Sequence, residues 1–163
     1  MTDIKLNNST LATASGSTIS WGSGVPAGSI VQVRTASTST EVGNWATSSW
    51  VDSGLSVTIE PKFNNSKIYL HSGAGVIVNS SGYMGLRINR SSPNAAALLP
   101  MITYSDYAVW NVGTTFYMTV DTPNTTSQCT YMLQIYRSGN DAYWNYDALT
   151  TPEAHLIAME IKE

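Results

Sequence analysis

The stretch Phe116-Tyr-Met-Thr-Val-Asp-Thr-Pro-Asn-Thr-Thr-Ser-Gln-Cys-Thr-Tyr-Met-Leu-Gln-Ile-Tyr136 decides the fold. Phe116, Met118 and Val120 alternate with Tyr117 and Thr119; further on, Tyr131, Leu133 and Ile135 alternate with Met132, Gln134 and Tyr136. A period of two marks a half-buried strand, because successive side chains of extended backbone point to opposite faces. Between the runs, Pro123-Asn124 turns the chain, since proline presets a turn dihedral and cannot donate to a ladder.

The same reading extends in both directions. Pro26-Ala-Gly28 is a turn signal, after which residues 29–35 form a strand. Leu55, Val57 and Ile59 alternate with Ser56 and Thr58 up to Pro61, and Asn64-Asn65-Ser66 turns the chain again. Residues 67–78 place Ile68, Leu70, Ala74, Val76 and Val78 on one face, with Ser72 and Gly73 marking a bulge or a close approach. Met84, Leu86 and Ile88 give another strand; a loop through Pro93 and Pro100 leads to residues 108–112, and the last strand covers 154–161.

No segment carries helical i, i+3, i+4, i+7 spacing over three turns. About eight strands separated by Gly, Pro and Asn turns predict an all-β chain, an antiparallel β-sandwich of jelly-roll type over residues 25–163. Strand order is not readable from spacing.

Residues 1–24 read differently. Ser, Thr, Asn and Gly dominate, and the apolar residues Ile4, Leu6, Leu11, Ile19 and Trp21 are isolated. So little apolar surface cannot offset the ordering entropy alone, which predicts an extended arm that anchors the domain to a partner.

Composition narrows the function. The chain has 163 residues, 12% charged residues and a formal net charge of −3, while Ser and Thr supply about a quarter of positions against a far more charged average chain. Lys5, Arg34, Lys62, Lys67, Arg87, Arg90, Arg137 and Lys162 are scattered and form no basic patch, which argues against nucleic acid as a partner. The one cysteine, Cys129, permits neither an intrachain disulfide nor a cysteine-rich metal site. No apolar run approaches the roughly 18 residues of a membrane span, and no apolar stretch follows Lys5 as in a secretory signal.

Enzyme motifs are missing. There is no Gly-x-Ser-x-Gly elbow, Walker loop, dinucleotide fingerprint or EF-hand spacing, so no catalytic residue, cofactor site or metal site is assigned. His71 and His155 fall in strands and read as packing residues. The cluster Tyr136, Asn140, Asp141, Tyr143, Trp144, Asn145 and Tyr146 stands out. Aromatic faces stack on sugars and Asn or Asp bond hydroxyls, but Tyr and Trp also favour subunit interfaces, so both glycan contact and interface packing stay open.

Six blocks carry a resemblance: residues 25–33 (VPAGSIVQV), 49–61 (SWVDSGLSVTIEP), 65–70 (NSKIYL), 85–90 (GLRINR), 121–126 (DTPNTT) and 158–162 (AMEIK). In this order they resemble a family of tailed-bacteriophage virion proteins, frequent in cyanophages and marine phages. The resemblance implies a trimeric β-sandwich module, of the kind found as capsid decoration or head proteins and at tail-fibre tips. It implies a homotrimer located in the virion, assembled in the host cytoplasm and released by lysis. The implied partner is the major capsid protein or another virion protein, with no membrane. A tail-fibre or tip protein that recognises a host-surface glycan is the alternative.

Overall fold

Alternating strands assemble into three antiparallel sheets in the computed structural model, which describes residues 2–15, 18–43, 49–78, 82–98, 100–105, 111–139, 142–145 and 153–163. The strands are β1 (Thr2–Leu6), β2 (Ser9–Ser15), β3 (Thr18–Trp21), β4 (Ile30–Thr38), β5 (Val42–Gly43), β6 (Trp50–Ile59) and β7 (Lys67–Val78). They continue with β8 (Gly82–Ser92), β9 (Ala96–Ala97), β10 (Met101–Ser105), β11 (Asn111–Asp121), β12 (Cys129–Gly139), β13 (Ala142–Trp144) and β14 (Ala154–Ile161). No helix occurs among the described residues.

The stretch expected to be an extended arm is instead a small sheet of its own, ordered β1–β2–β3. Asn7 and Asn8 turn β1 into β2 with positive φ, which asparagine tolerates better than most residues. Backbone that a lone arm would leave unpaired is thus bonded within the stretch.

The other strands form two layers. One runs β4–β14–β7–β11, with β13 paired to the far end of β7 and β5 paired to β13. The second runs β6–β12–β8–β10, with β9 beside β8. Leaving out the short β5, β9 and β13, these two orders are those of a jelly roll, in which most consecutive strands change layer. The stretch 116–136 illustrates it: β11 lies on β7 while β12 lies between β6 and β8, so residues 122–128 cross between layers. Residues 106–110, most of the strand expected over 108–112, lie outside the described residues; β11 begins at Asn111.

Alternation delivers the core. Leu55, Val57, Ile59, Leu86, Ile88, Tyr131, Leu133 and Ile135 from one layer meet Ile68, Leu70, Ala74, Leu156 and Ala158 from the other, all buried. Each large aliphatic side chain so buried contributes about 1.5–3 kcal/mol. Two buried carboxylates are fully engaged, whereas Ser72 Oγ and Trp144 Nε1 are buried without a hydrogen-bond partner. Asp121 Oδ2 accepts from Arg90 Nη1 at 2.7 Å and from the Tyr131 hydroxyl at 2.8 Å. Glu160, fully buried, accepts from Lys62 N (2.7 Å), Ser66 Oγ (2.6 Å) and Gln32 Nε2 (2.7 Å), which fixes the turn after β6 against β14.

The junction between the small sheet and the jelly roll is held by the C-terminus. Gly28 has φ 81°, and Ser29 N donates to Pro26 O at 3.3 Å, the geometry in which a type II turn requires glycine. Gly28 N donates to Lys162 O at 2.7 Å, and the Lys162 ammonium donates to Ser23 O at 2.8 Å and to the Val25 carbonyl.

Candidate assembly surfaces

The register of β4, β14, β7 and β11 builds a face that points away from the core. Val33, Met159, Tyr69 and Val120 form one row; Thr35, Ile157, His71 and Met118 form the next; Ser37, His155, Gly73 and Phe116 form a third. Because residues 68, 70, 156 and 158 point inward, these point outward. Met118 is 71% exposed and Phe116 62%, and Val33, Tyr69 and Val120 are exposed as well.

Relief on this face is uneven. Phe116 stacks beside His71, with ring centroids 5.9 Å apart and planes 7° apart. Next to this ridge lies a groove of about 500 Å3, with Tyr69, His71, Met118, Ile157, Met159 and Ile161 among its walls. Among the described residues, charged side chains flank it at the ends: Lys67 pairs with Glu163 at 3.0 Å, and Glu153 lies 4.0 Å from His155 Nε2.

The outer face of the second layer has the opposite character. Ser56 and Thr58 are exposed there. Arg87 Nε donates to Gln134 Oε1 at 2.8 Å, and Gln134 Nε2 donates to Asp52 Oδ1 at 2.6 Å. The Arg87 guanidinium lies 4.4 Å from the centre of the Trp50 ring, which in turn packs on Tyr136 at 5.4 Å. Among the described residues this is a polar sheet surface with one aromatic pair.

A third surface belongs to the β1–β3 sheet. Register sets Ile4, Ala12 and Trp21 in a row, with Ile4 58% exposed, Trp21 exposed and only Ala12 buried. Leu6 is exposed and Leu11 half-buried, while Ile19 sits opposite Ala14 in the ladder.

The aromatic cluster expected around residues 136–146 is dispersed. Tyr136 lies on β12 and the half-buried Tyr143 on β13, whereas Asn140, Asp141 and Tyr146 lie outside the described residues. Trp144 and Asn145 are corrected: both are fully buried and offer no surface to a glycan or a neighbour. The cause is pairing of β13 with both β7 and β5, which makes it part of the sheet and turns Trp144 into the core. Asn145 Nδ2 donates to Thr38 O and Thr40 O, both at 3.0 Å.

No cluster of three His, Cys, Asp or Glu side chains placed to hold a metal occurs among the described residues. Burial pushes the Cys129 thiol upward, and burial together with the Asp121 carboxylate pushes the Tyr131 hydroxyl upward. Both stay protonated, so neither is poised as a nucleophile or base.

The apolar outer face was missed in the sequence, yet a signal exists. In residues 154–161 both alternating sets are largely apolar, Leu156 and Ala158 inside and Ile157 and Met159 outside, the pattern of a strand covered on two sides; in 116–120 the apolar set Phe116, Met118 and Val120 faces outward and Tyr117 is the buried residue.

No protein-family model matches the sequence, and no curated protein matches it. Among solved structures, the chain is similar to the infectious bursal disease virus VP2 subviral particle, at 12% identity and a TM-score of 0.46, over 82% of this chain and 34% of that one. It is similar to infectious bursal disease virus Gx strain at 11% identity and a TM-score of 0.46, over 98% and 46% of the two chains. The chain therefore spans less than half the length of these structures, and a likeness at this level assigns no function.

Proposed function

We propose that this chain is a bacteriophage virion structural protein, a capsid decoration or cement protein that binds and stabilises the head shell as a homotrimer. The observation that carries the reading is the β1–β3 sheet. Ile4 and Trp21 stand exposed in one row with the buried Ala12, and a second layer over that row would take their apolar surface out of water. The shell supplies that layer. Ile4, Leu6, Leu11, Ile19 and Trp21 form the anchor, and the jelly roll projects outward.

Support comes also from the six sequence blocks that resemble tailed-phage virion proteins, and, as analogy of fold, from the frequency of jelly rolls in viral shells. The partner is the major capsid protein or another virion protein. No catalysis, cofactor, nucleic acid or membrane enters the proposal. Three anchors per trimer act together, so weak single contacts sum to firm attachment.

The test is copy number in purified particles by quantitative gel densitometry, with binding of added full-length protein and of a variant lacking residues 2–21. Hundreds of copies, and binding lost with the deletion, agree with the proposal. A handful of copies favours a tail-fibre or tip protein that recognises a host-surface glycan. The aromatic pair Trp50 and Tyr136 beside Arg87, Gln134 and Asp52 favours that second reading, because rings flanked by hydrogen-bonding groups suit a sugar. Binding of host polysaccharide that Trp50→Ala abolishes would decide for it.

A further inference from the structure

We infer that the outer face of β4–β14–β7–β11 docks a second copy of this chain, the Phe116–Met118 ridge of each copy seating in the groove of the next. The inference rests on the proposed self-association for the identity of the occupant; the surface is read from the face itself.

Size is the first argument. Four strands about 4.8 Å apart, over six residues rising about 3.4 Å each, give a footprint of roughly 400 Å2. Seven of its twelve positions carry apolar or aromatic side chains, the other five being Thr35, Ser37, His71, His155 and Gly73. A standard interface takes about 800 Å2 per partner, so this face supplies about half of one side, and its surround, the β11 edge included, supplies the rest.

Charge distribution is the second. The three rows hold no Lys, Arg, Asp or Glu, while Lys67 and Glu163 stand beyond the first row and Glu153 beside His155 of the third. An uncharged centre within a charged rim is the anatomy of a protein interface. At the Lys67–Glu163 end the two signs offset each other, so a second copy meets no net field of its own sign there.

Shape selects a second copy over an unrelated partner. The two most exposed large apolar side chains of the described residues, Met118 and Phe116, rise at the border of the groove formed with Tyr69, Ile157 and Met159. One face thus carries both a projection and a recess. Rotated copies satisfy each other, and in a closed ring of three each copy gives one ridge and receives one.

The edge is the fourth argument. β11 pairs only with β7 among the described residues, and from Asn111 to Val120 it contains no Pro and no charged side chain. Natural edge strands left in water carry such blocking residues, and this one does not. Seating β11 against a neighbour covers the edge.

The test is sedimentation equilibrium of the full-length chain at micromolar concentration without particles. Wild type is expected to be multimeric, Met118→Glu and Phe116→Glu to weaken association at least a hundredfold, and Ser56→Glu on the opposite layer to leave it unchanged. Both target side chains are solvent-exposed, and circular dichroism with thermal melting checks that each variant folds. A monomeric wild type, or a multimer that survives both substitutions, overturns the inference. Monomers whose particle binding is lost in Met118→Glu would give the face to another virion protein, overturning this inference while the virion reading stands. Multimers that break with Met118→Glu yet never bind particles would uphold the face and remove the virion reading.

Discussion

The phenyl ring of Phe116 lies beside the His71 imidazole, planes 7° apart, in a space that exists because residue 73 has no side chain. A Cβ at Gly73 would stand 3.1 Å from Phe116 Cδ1 and Cε1, closer than ordinary packing allows. Gly73 therefore lets the ring lie down on β7. The sequence reading of Ser72-Gly73 as a bulge or a close approach is resolved as the second: β7 pairs with β11 and β14 here without a register shift.

Gly73→Val should displace the ring and change the shape of the ridge. The folded monomer should change by no more than about 1 kcal/mol, since valine gains strand propensity where the ring loses contact. Self-association should weaken at least tenfold in sedimentation equilibrium. Unchanged association with a displaced ring would mean that the ridge is not part of the contact.

Arg90 and Asp121 test the interior. Their side chains are only 11% and 8% exposed and meet at 2.7 Å. Arg90→Met leaves the carboxylate buried with the Tyr131 hydroxyl as its remaining side-chain partner, which should cost about 3–5 kcal/mol in urea unfolding. A loss below about 1 kcal/mol would mean that water reaches Asp121 in the variant.

Alkaline pH should destabilise the fold through protonated buried groups. Cys129 is raised above its ordinary 9.0, and Tyr131 and Tyr117 above 10.0, in each case chiefly by burial. The folded chain keeps protons that the unfolded chain releases, so this stability is complete below about pH 9 and falls as pH rises. Each group contributes a slope of up to about 1.4 kcal/mol per pH unit above its unfolded pKa. Urea midpoints from pH 8 to 11 measure it; Cys129→Ala should remove the earliest part of the decline, and a flat profile would contradict the burial of all three.

Much of the layering is legible in the sequence, because a buried strand face writes itself as a period of two. Residues 55–59, 67–74, 86–88 and 131–135 all have their alternating apolar set inside. Strand order is not legible, since the crossing of residues 122–128 between layers and a tight hairpin would have the same turn residues. The β1–β3 sheet escaped for a related reason: backbone pairing holds it, and its apolar positions are too sparse to set a period. The cluster around Trp144 misled because aromatic and amide residues read as exposed recognition chemistry, whereas two short ladder pairings turn the tryptophan inward. Tyr136, half-buried on β12, packs on Trp50, a neighbour that only cross-strand register reveals.

Removing residues 2–21 should leave the jelly roll folded. Every ladder pairing of β1, β2 and β3 is internal to that sheet, and the bonds that tie the junction to the C-terminal strand involve Ser23, Val25, Gly28, Ser29 and Lys162, all retained. Loss of the segment should lower the thermal midpoint by no more than the roughly 2–4 °C that about 1 kcal/mol produces in a domain of this size. The same independence predicts two tiers of hydrogen exchange in the free full-length chain. Amides of β1–β3 should exchange through local opening, while those of β7, β12 and β14 exchange only with global unfolding. Particle binding should then raise protection in β1–β3 alone, because a bound surface supplies the layer that Ile4 and Trp21 lack. Protection of β1–β3 equal to the core in free protein, or a large drop in midpoint on deletion, would mean that this sheet belongs to the body of the fold and that the anchor must be sought elsewhere.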